Sequence, residues 1–232
     1  MPLLMPRAVL FDAYGTLFDV YSVGALVERL FPGQGAALGM LWRDKQIEYT
    51  RLVSASDGGK HYRPFWDLTR AALRYACKRL KLDLTEAAEE QLMQQYLHLT
   101  PYPENIEALQ ALRSRGIPTG ILSNGSREML HAVIQNAGLD GLLDHVLSVD
   151  AVRKFKTHPE AYALGPQALG LNVGEIVFVS SNAWDALAAT WYGYQTLWVN
   201  RAGLPFEELG TSPTRSGTTL REVLGFFDDG KT

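Results

Sequence analysis

A carboxylate and a hydroxyl stand four residues apart where an apolar segment near the start of the chain ends. Asp12 directly follows the run Ala8–Phe11, and Thr16 comes four residues later. Such an aspartate can act as a nucleophile that forms a covalent ester or as a general base, and a nearby hydroxyl can hold it in place. The alternative is that Asp12 only satisfies its own backbone in a turn.

Two later apolar segments also end in polar side chains. Ser123 and Asn124 end one of them, whereas Ser180 and Asn182 end the other, with Asp185 close behind. Asn124 could be no more than the N-cap of the helix that follows it. If both segments lie beside the first, carboxylates, hydroxyls and amides surround one crevice, and this indicates a small-molecule site.

Short buried strands that alternate with amphipathic helices are the elements that must position these residues. Continuous apolar runs predict the strands, and repeated β-then-α units imply an α/β fold with a doubly wound parallel sheet and helices on both faces. Ligands bind outside the carboxyl ends of the strands in such a sheet. The predicted strands cover residues 8–12, 119–123, 145–149, 176–180 and 196–199.

One block of the chain breaks this alternation. From about residue 21 to residue 98 the apolar residues recur at helical spacing, and no convincing strand interrupts them. We therefore predict a small all-helical cap, residues 21–98, inserted after the first strand. The core domain then comprises residues 1–20 and 99–232.

Glycine and proline mark the predicted loops. The Gly58-Gly59 pair and the exit from the cap at Pro101 and Pro103 predict loops or hinges. The stretch 210–217, which contains Thr, Ser and Pro, predicts a loop, and the apolar residues from Leu220 onward predict a closing helix.

The composition favours a small-molecule partner over nucleic acid or a membrane. The 232 residues contain 22 Lys and Arg against 25 Asp and Glu, a net charge of −3, so no basic excess is available for anionic polymers or lipids. No apolar run reaches the ~20 residues that span a bilayer, and the N-terminus is too short and proline-broken for a signal peptide. Cys77 is the only cysteine, which suits a cytoplasmic protein. The histidines are scattered, and we expect neither a metal site nor a cofactor.

Four segments together resemble the motifs of the haloacid dehalogenase superfamily, and the resemblance covers nearly the whole chain. The run 11–17, Phe-Asp-Ala-Tyr-Gly-Thr-Leu, is similar to the nucleophile loop of this family, and 122–125, Leu-Ser-Asn-Gly, resembles its second motif. Lys156 falls where the third-motif lysine is expected, and 180–185 looks like the dehalogenase form of the fourth motif. The helical insertion lies where this family places its cap.

Two departures distinguish the chain from the phosphatases of this superfamily. Those enzymes carry a second aspartate two residues after the nucleophile, which protonates the leaving alcohol and supplies a backbone carbonyl to Mg²⁺, but here that residue is Tyr14. Their fourth motif usually holds paired acidic groups, whereas this chain has Asp185 alone. The resemblance therefore points to the metal-independent, type II L-2-haloacid dehalogenases. A Mg²⁺-dependent phosphatase and a catalytically idle binding member are the alternatives.

The dehalogenase resemblance implies a reaction and a set of substrate contacts. Asp12 would attack C2 of a short-chain L-2-haloacid, release the halide and form an aspartyl ester, which water hydrolyses to a D-2-hydroxy acid. A halide leaves as a stable anion, so donors that stabilise negative charge replace a general acid. The implied contacts are Arg43, Asn124 and Trp184 with the halide, Ser123 and the loop amides from Ala13 with the carboxylate, and Tyr14, Phe65 and Trp184 with the halogen and alkyl group.

Two lysines compete for the place beside Asp12. Lys156 is favoured over Lys154, because Tyr162 follows Lys156 six residues later as in the dehalogenases. A cation at that place would keep the Asp12 carboxylate ionised. Thr16 is expected to hold the same carboxylate through its hydroxyl.

The fourth motif is expected to serve the carboxylate and the hydrolytic water. The resemblance implies that the Ser180 hydroxyl holds Asp12 and that Asp185 orients or deprotonates the water, with Asn182 positioning it. The alternative is that Asp185 only pairs with Lys156. Caps in this family often contribute to dimers, so a homodimer is a possible assembly.

Overall fold

The computed structural model describes residues 4–228 and contains a parallel sheet covered by helices. The strands are, in chain order, β1 (Ala8–Phe11), β2 (Phe18–Asp19), β3 (Thr100–Pro101), β4 (Thr119–Ser123), β5 (His145–Ser148), β6 (Ile176–Ser180), β7 (Gln195–Val199) and β8 (Arg215–Gly217). The α-helices are α1 (Gly24–Leu30), α2 (Gly35–Ala55), α3 (Phe65–Leu80), α4 (Glu86–Gln95), α5 (Asn105–Ser114), α6 (Arg127–Asn136), α7 (Pro159–Leu169) and α8 (Ala183–Tyr192). Each predicted strand is confirmed to within one residue at either end.

Strand β1 lies inside the six-stranded sheet, whose order is β5-β4-β1-β6-β7-β8 with every pair parallel. Phe11 aligns with Ile121 of β4 on one side and with Val179 of β6 on the other. All four residues of β1 are buried, as the continuous apolar run predicts. Asp12 therefore emerges at the carboxyl edge of the sheet, between the ends of β4 and β6.

Helices cover both faces of this sheet, which confirms the doubly wound α/β fold. The side chains of Val9 and Phe11 join a core cluster that includes the apolar residues of α5 and α6. Leu10 points to the opposite face, where it joins Tyr162 of α7 and Ala189 of α8. Alternation along one strand thus supplies two separate apolar layers. Within residues 4–228, no helix combines the length and the hydropathy needed to cross a bilayer.

Helices α1 to α4 occupy the predicted cap segment between β2 and β3. The indole of Trp42 in α2 is buried and donates to the carbonyl of Thr69 in α3 over 2.8 Å, which joins the two longest cap helices. At the base of the cap, β2 and β3 pair antiparallel, with Phe18 opposite Pro101. The predicted loop at Pro101 is therefore wrong, because proline is tolerated in a short edge strand where its missing N–H is not needed. Gly59 ends a short 3₁₀ helix, Ser56–Gly59.

The end of the chain departs from the sequence prediction in two ways. The predicted loop 210–217 is wrong for its last three residues, because Arg215–Gly217 pairs with β7 as edge strand β8. Such a short strand carries no apolar pattern that could reveal it. The predicted closing helix is present as a 3₁₀ helix, Leu220–Phe226, in which Leu220 and Val223 are buried.

Candidate active site

The Asp12 carboxylate accepts hydrogen bonds on both oxygens. The hydroxyl of Thr16 and the side-chain amide of Asn182 donate to Oδ2 over 3.0 and 2.8 Å, and the ammonium of Lys156 donates to Oδ1 over 3.1 Å. Asp12 is 6% exposed, so the carboxylate is largely shielded from solvent but still accessible to a small ligand. A buried carboxylate with these donors is fixed in orientation, which suits a group that must attack along one line.

Lys156 lies between two carboxylates. Its ammonium is 3.1 Å from Oδ1 of Asp12 and 2.9 Å from Oδ2 of Asp185, and it is 4.7 Å from the centre of the Phe178 ring. Lys154 instead donates to the carbonyl of Gly58 in the cap. The structure thus brings Lys156, and not Lys154, to Asp12.

Asp185 is completely buried below Lys156. Its Oδ1 accepts a 2.6 Å hydrogen bond from the hydroxyl of Tyr162. Burial raises the pKa of Asp185 above its ordinary value, although the Lys156 ammonium opposes this rise, and the negative charge of Asp12 adds to it. Burial also raises the pKa of Tyr162 far above its usual value, so its hydroxyl keeps the proton that it donates.

Arg43 reaches this cluster from α2 of the cap. The guanidinium is buried, and it donates to Oε1 of Gln46 over 2.7 Å, to the carbonyl of Tyr14 over 3.1 Å and to Oδ1 of Asn182 over 3.4 Å. All three acceptors are neutral, and within residues 4–228 the guanidinium forms no ion pair with a carboxylate. A buried cation without a counter-ion is costly, so this place favours an anionic ligand.

An aromatic wall stands beside the carboxylate. The Tyr14 ring lies 5.5 Å from the Phe65 ring and 5.7 Å from the Tyr96 ring, and all three side chains are buried. The Tyr14 hydroxyl has no hydrogen-bond partner among the described residues. A side chain at Gly125 would clash with this ring, because a Cβ there would lie 2.7 Å from Cε2 of Tyr14. The structure therefore brings Tyr14 and Phe65 together as predicted neighbours.

The loop after β4 holds Asn124 in one orientation. Its Oδ1 accepts the backbone N–H of Lys156 over 2.9 Å, which leaves the Nδ2 donors for another partner. Ser123 is buried, and its Oγ accepts the N–H of Gly125 over 3.1 Å, so its own proton is still available to donate. Both residues lie at the carboxyl edge of the sheet, where the sequence places them.

The expected hydroxyl contact from Ser180 to Asp12 is wrong. Within residues 4–228, no hydrogen bond joins Ser180 to Asp12, and the Ser180 Oγ instead accepts the backbone N–H of Asn182 over 3.1 Å. The amide of Asn182 occupies that place on the carboxylate instead. Ala13 is buried at the turn, and its carbonyl accepts the N–H groups of Leu17 and Phe18 over 2.9 and 3.0 Å.

Trp184 lies at the outer side of the site. It is half-buried, its ring centre is 5.1 Å from the guanidinium carbon of Arg51, and it lines a cavity of about 360 Å³ together with Arg43 and Asn182. Trp184 is therefore near the predicted halide contacts, and no hydrogen bond joins it to Asp12 among the described residues.

Sequence reasoning missed three polar residues next to this cluster. Gln46 follows Arg43 by one helical turn, is fully buried and also accepts from the hydroxyl of Tyr96 over 3.1 Å. Its spacing from Arg43 on the same helix was a usable signal. Arg201 follows the end of β7 and pairs with Glu104 over 2.8 Å. The strand-end argument that singled out Asp12 applies equally to Arg201.

Comparison with known proteins gives one family. A family model described as a haloacid dehalogenase-like hydrolase matches residues 6–193. An (S)-2-haloacid dehalogenase of Pseudomonas sp. (strain YL) is 45% identical over 222 residues, which are 96% of this chain and 94% of that protein. The crystal structure of an L-2-haloacid dehalogenase is 56% identical, with a TM-score of 0.95, and the match covers 97% of this chain and 100% of the other.

A further solved structure holds a ligand. It is the L-2-haloacid dehalogenase of Xanthobacter autotrophicus with chloropropionic acid covalently bound. It is 37% identical, its TM-score is 0.88, and the match covers 98% of this chain and 100% of that one. That relative therefore forms a covalent adduct with a haloacid.

Proposed function

Because the chain belongs to the haloacid dehalogenase-like hydrolases, we propose that it hydrolyses short-chain L-2-haloalkanoic acids to D-2-hydroxy acids and halide. The single observation that carries this proposal is that a fixed carboxylate and a buried guanidinium, which has no carboxylate partner among the described residues, lie on either side of the Asn182 amide. Asn182 contacts Asp12 at 2.8 Å and Arg43 at 3.4 Å. One group can attack carbon while the other receives the departing anion. The activities of the relatives support the same chemistry.

In the first step, an oxygen of Asp12 attacks C2 from the side opposite the halogen. A C2–O bond forms, the carbon–halogen bond breaks, and the halide leaves with the bonding electrons. Arg43 and the free Nδ2 donors of Asn124 would stabilise that anion, and Ser123 would donate to the substrate carboxylate. Tyr14 and Phe65 would exclude water around the alkyl group, with Trp184 at the outer edge.

In the second step, water attacks the ester carbonyl carbon of Asp12 rather than C2. The bond between that carbon and the ester oxygen breaks, so the alcohol leaves with an oxygen that belonged to Asp12, and C2 is inverted once. Asp185 is the candidate to accept the proton of the water, because burial raises its pKa above the ordinary value and so makes the carboxylate a stronger base. If Asp185 only pairs with Lys156, its loss would instead affect the first step, the formation of the ester.

The residues present do not fit the Mg²⁺ site of the phosphatase alternative. The backbone carbonyl of Tyr14, at the position that serves Mg²⁺ in those enzymes, accepts from Arg43 and Asn182, each over 3.1 Å. Both oxygens of Asp185 are occupied by Lys156 and Tyr162. Mg²⁺ requires several free oxygen ligands in octahedral geometry. The donor set therefore argues for the dehalogenase over the phosphatase.

The cap is part of this proposal. We infer that residues 21–98 act as a cap domain over a core of residues 1–20 and 99–232, because Arg43 and Phe65 come from α2 and α3 while the nucleophile comes from β1. The halide and alkyl contacts would then be supplied from the side opposite the attacking carboxylate, as backside displacement requires.

Halide release from L-2-chloropropionate tests the function. We expect the wild type to release chloride with a chelator present, to act far more slowly on the D-enantiomer and to leave phosphate esters intact. Asp12→Asn is the control that removes the nucleophile and should release no halide. Chelator-sensitive activity restored by Mg²⁺, or turnover of a phosphate ester, would show the phosphatase alternative, and no turnover of either would show an idle binding protein.

A further inference from the structure

Arg201 contacts both of the loops that hold the nucleophile. It follows β7, and its guanidinium donates to Oγ of Ser181 over 2.7 Å and to the carbonyl of Thr16 over 3.2 Å. Ser181 belongs to the loop after β6, and Thr16 belongs to the loop after β1. One planar side chain thus joins two loops that are far apart in the chain.

The two residues that Arg201 holds also form the bridge to Asp12. The backbone N–H of Ser181 donates to Oγ1 of Thr16 over 2.8 Å, and this fixes the direction in which the Thr16 hydroxyl donates to Asp12 over 3.0 Å. The carbonyl of Ser181 is held from behind by the indole of Trp198 over 3.2 Å. A shift of Ser181 would therefore change the orientation of the Asp12 carboxylate and displace Asn182, the next residue.

Arg201 is itself fixed against the segment that leaves the cap. Its Nε and one terminal nitrogen donate to the same oxygen of Glu104 over 3.1 and 2.8 Å, and its guanidinium carbon lies 3.7 Å from the centre of the Tyr102 ring. Partial burial alone would raise the pKa of Glu104, but the hydrogen bonds and charge of Arg201, together with hydrogen bonds from the backbone, lower that pKa below its ordinary value. Glu104 thus stays charged and keeps its pair with Arg201.

We propose that Arg201 is a positioning residue for the first chemical step, which sets the orientation of Asp12 through Ser181 and Thr16. The proposal rests on the proposed dehalogenase function. Among the described residues Arg201 forms no hydrogen bond or ion pair with Asp12, so it acts through the two loops. Glu104 and Tyr102 hold it in place, and the exit from the cap is thereby joined to the nucleophile. A lysine could keep the charge, but it could not reach the three acceptors in one plane.

Single-turnover kinetics separate positioning from a merely structural role. With enzyme in excess over L-2-chloropropionate, the formation of the covalent ester and its hydrolysis are followed by intact-protein mass spectrometry after rapid quenching. We expect Arg201→Gln to slow ester formation by about 10- to 100-fold, with a change of less than about threefold in ester hydrolysis and in KM. Arg201→Lys should recover part of the lost rate.

Arg221→Gln is the matched control, because it removes an exposed arginine that pairs with Glu107 on the surface. It should leave both rates unchanged. If Arg201→Gln does not fold, Ser181→Ala removes one acceptor while the pair with Glu104 stays, and it should give the same selective slowing to a smaller extent. Wild-type ester formation in Arg201→Gln, or an equal loss in both steps, would overturn the positioning role. No halide release by the wild type would instead overturn the proposed function, and the positioning role with it.

Discussion

Asn182 donates from Nδ2 to Oδ2 of Asp12 over 2.8 Å. The Oδ1 of the same amide accepts from Arg43 over 3.4 Å. The partly positive Nδ2 group therefore faces the carboxylate, and the partly negative Oδ1 faces the guanidinium. The amide keeps these opposite charges apart. This separation leaves the carboxylate free to attack and the guanidinium free to bind an anion.

Asn182→Asp should therefore remove most of the activity, although the side chain keeps its size. A second carboxylate would repel Asp12 and pair with Arg43, which fills the anion site. We expect kcat/KM for L-2-chloropropionate to fall by at least about 100-fold, in the range reported for the loss of a donor at a developing charge. Asn136→Asp, an exposed asparagine at the end of α6, serves as the control. Activity within a few-fold of the wild type would contradict the separating role of the amide.

Arg43→Lys should lower kcat as well as kcat/KM. The guanidinium spreads its donors over three neutral acceptors and presents a plane to the anion, whereas an ammonium is a point charge on a shorter reach. We expect a loss of about 10- to 100-fold in both constants, measured as chloride release. Arg79→Lys, an exposed arginine in α3, is the matched control in the cap. An unchanged kcat would place Arg43 outside the chemistry.

Tyr14→Phe should stabilise the unliganded protein. The Tyr14 hydroxyl is buried and has no partner among residues 4–228, and removal of such a group recovers about 1 kcal/mol or more in the free energy of unfolding. Tyr96→Phe is the matched variant, because the Tyr96 hydroxyl does donate to Gln46, and it should destabilise the protein. Urea unfolding of the two variants checks the sign. Equal destabilisation of both would show that Tyr14 has a partner in solution.

Ester hydrolysis should slow as the pH falls through the raised pKa of Asp185. The proposed base must be ionised, and burial has moved its pKa above the ordinary value of about 3.9. Tyr162→Phe should shift the acidic limb of this pH–rate profile to higher pH, because the hydrogen bond from Tyr162 lowers the pKa of Asp185 and the variant lacks it. The limb is measured as the decay of preformed ester in single turnovers. If the pH–rate profile of ester hydrolysis is the same in the wild type and in Tyr162→Phe, the base is a group other than Asp185.

The effect of Asp185 on stability has the opposite sign to its effect on rate. Since its pKa is higher in the folded protein than in the unfolded chain, its contribution to the free energy of unfolding falls as the pH rises through the window between the two values. Acid therefore does not unfold the protein through this group. A slower rate at low pH without a lower melting temperature separates protonation of Asp185 from unfolding.

The residues at the carboxyl edge of the sheet could be predicted, because the apolar sequence of each strand shows where that strand ends. β1, β4 and β6 are continuous apolar runs, so the polar residues that end them had to meet at one edge once the strands were parallel. Lys156 required more, because no strand ends at it and the neighbouring Lys154 has the same chemistry. Only the family resemblance chose between the two.

Contacts between distant loops could not be predicted in this way. Arg201 and Glu104 are far apart in sequence, and neither lies in a periodic pattern that indicates a partner. The hydrogen bond to Asp12 that was predicted for Ser180 comes instead from Asn182, and this difference has another cause. A hydroxyl and an amide two residues apart on one loop are both able to reach a carboxylate, and only the loop geometry decides which one does. Strand β8 is missing from the sequence prediction because three edge residues pair through backbone alone.

The covalent role of Asp12 is tested most directly by the route of solvent oxygen. In a single turnover with excess enzyme in ¹⁸O water, attack by Asp12 gives an unlabelled hydroxy acid, because the oxygen of the product comes from the carboxylate, and the label enters Asp12 when water cleaves the ester. We expect mass spectrometry to find ¹⁸O in the peptide that contains Asp12 and none in the hydroxyl of the product. Label in the product hydroxyl would show that water attacks C2 directly, with Asp12 as a general base, and would contradict the nucleophile assignment.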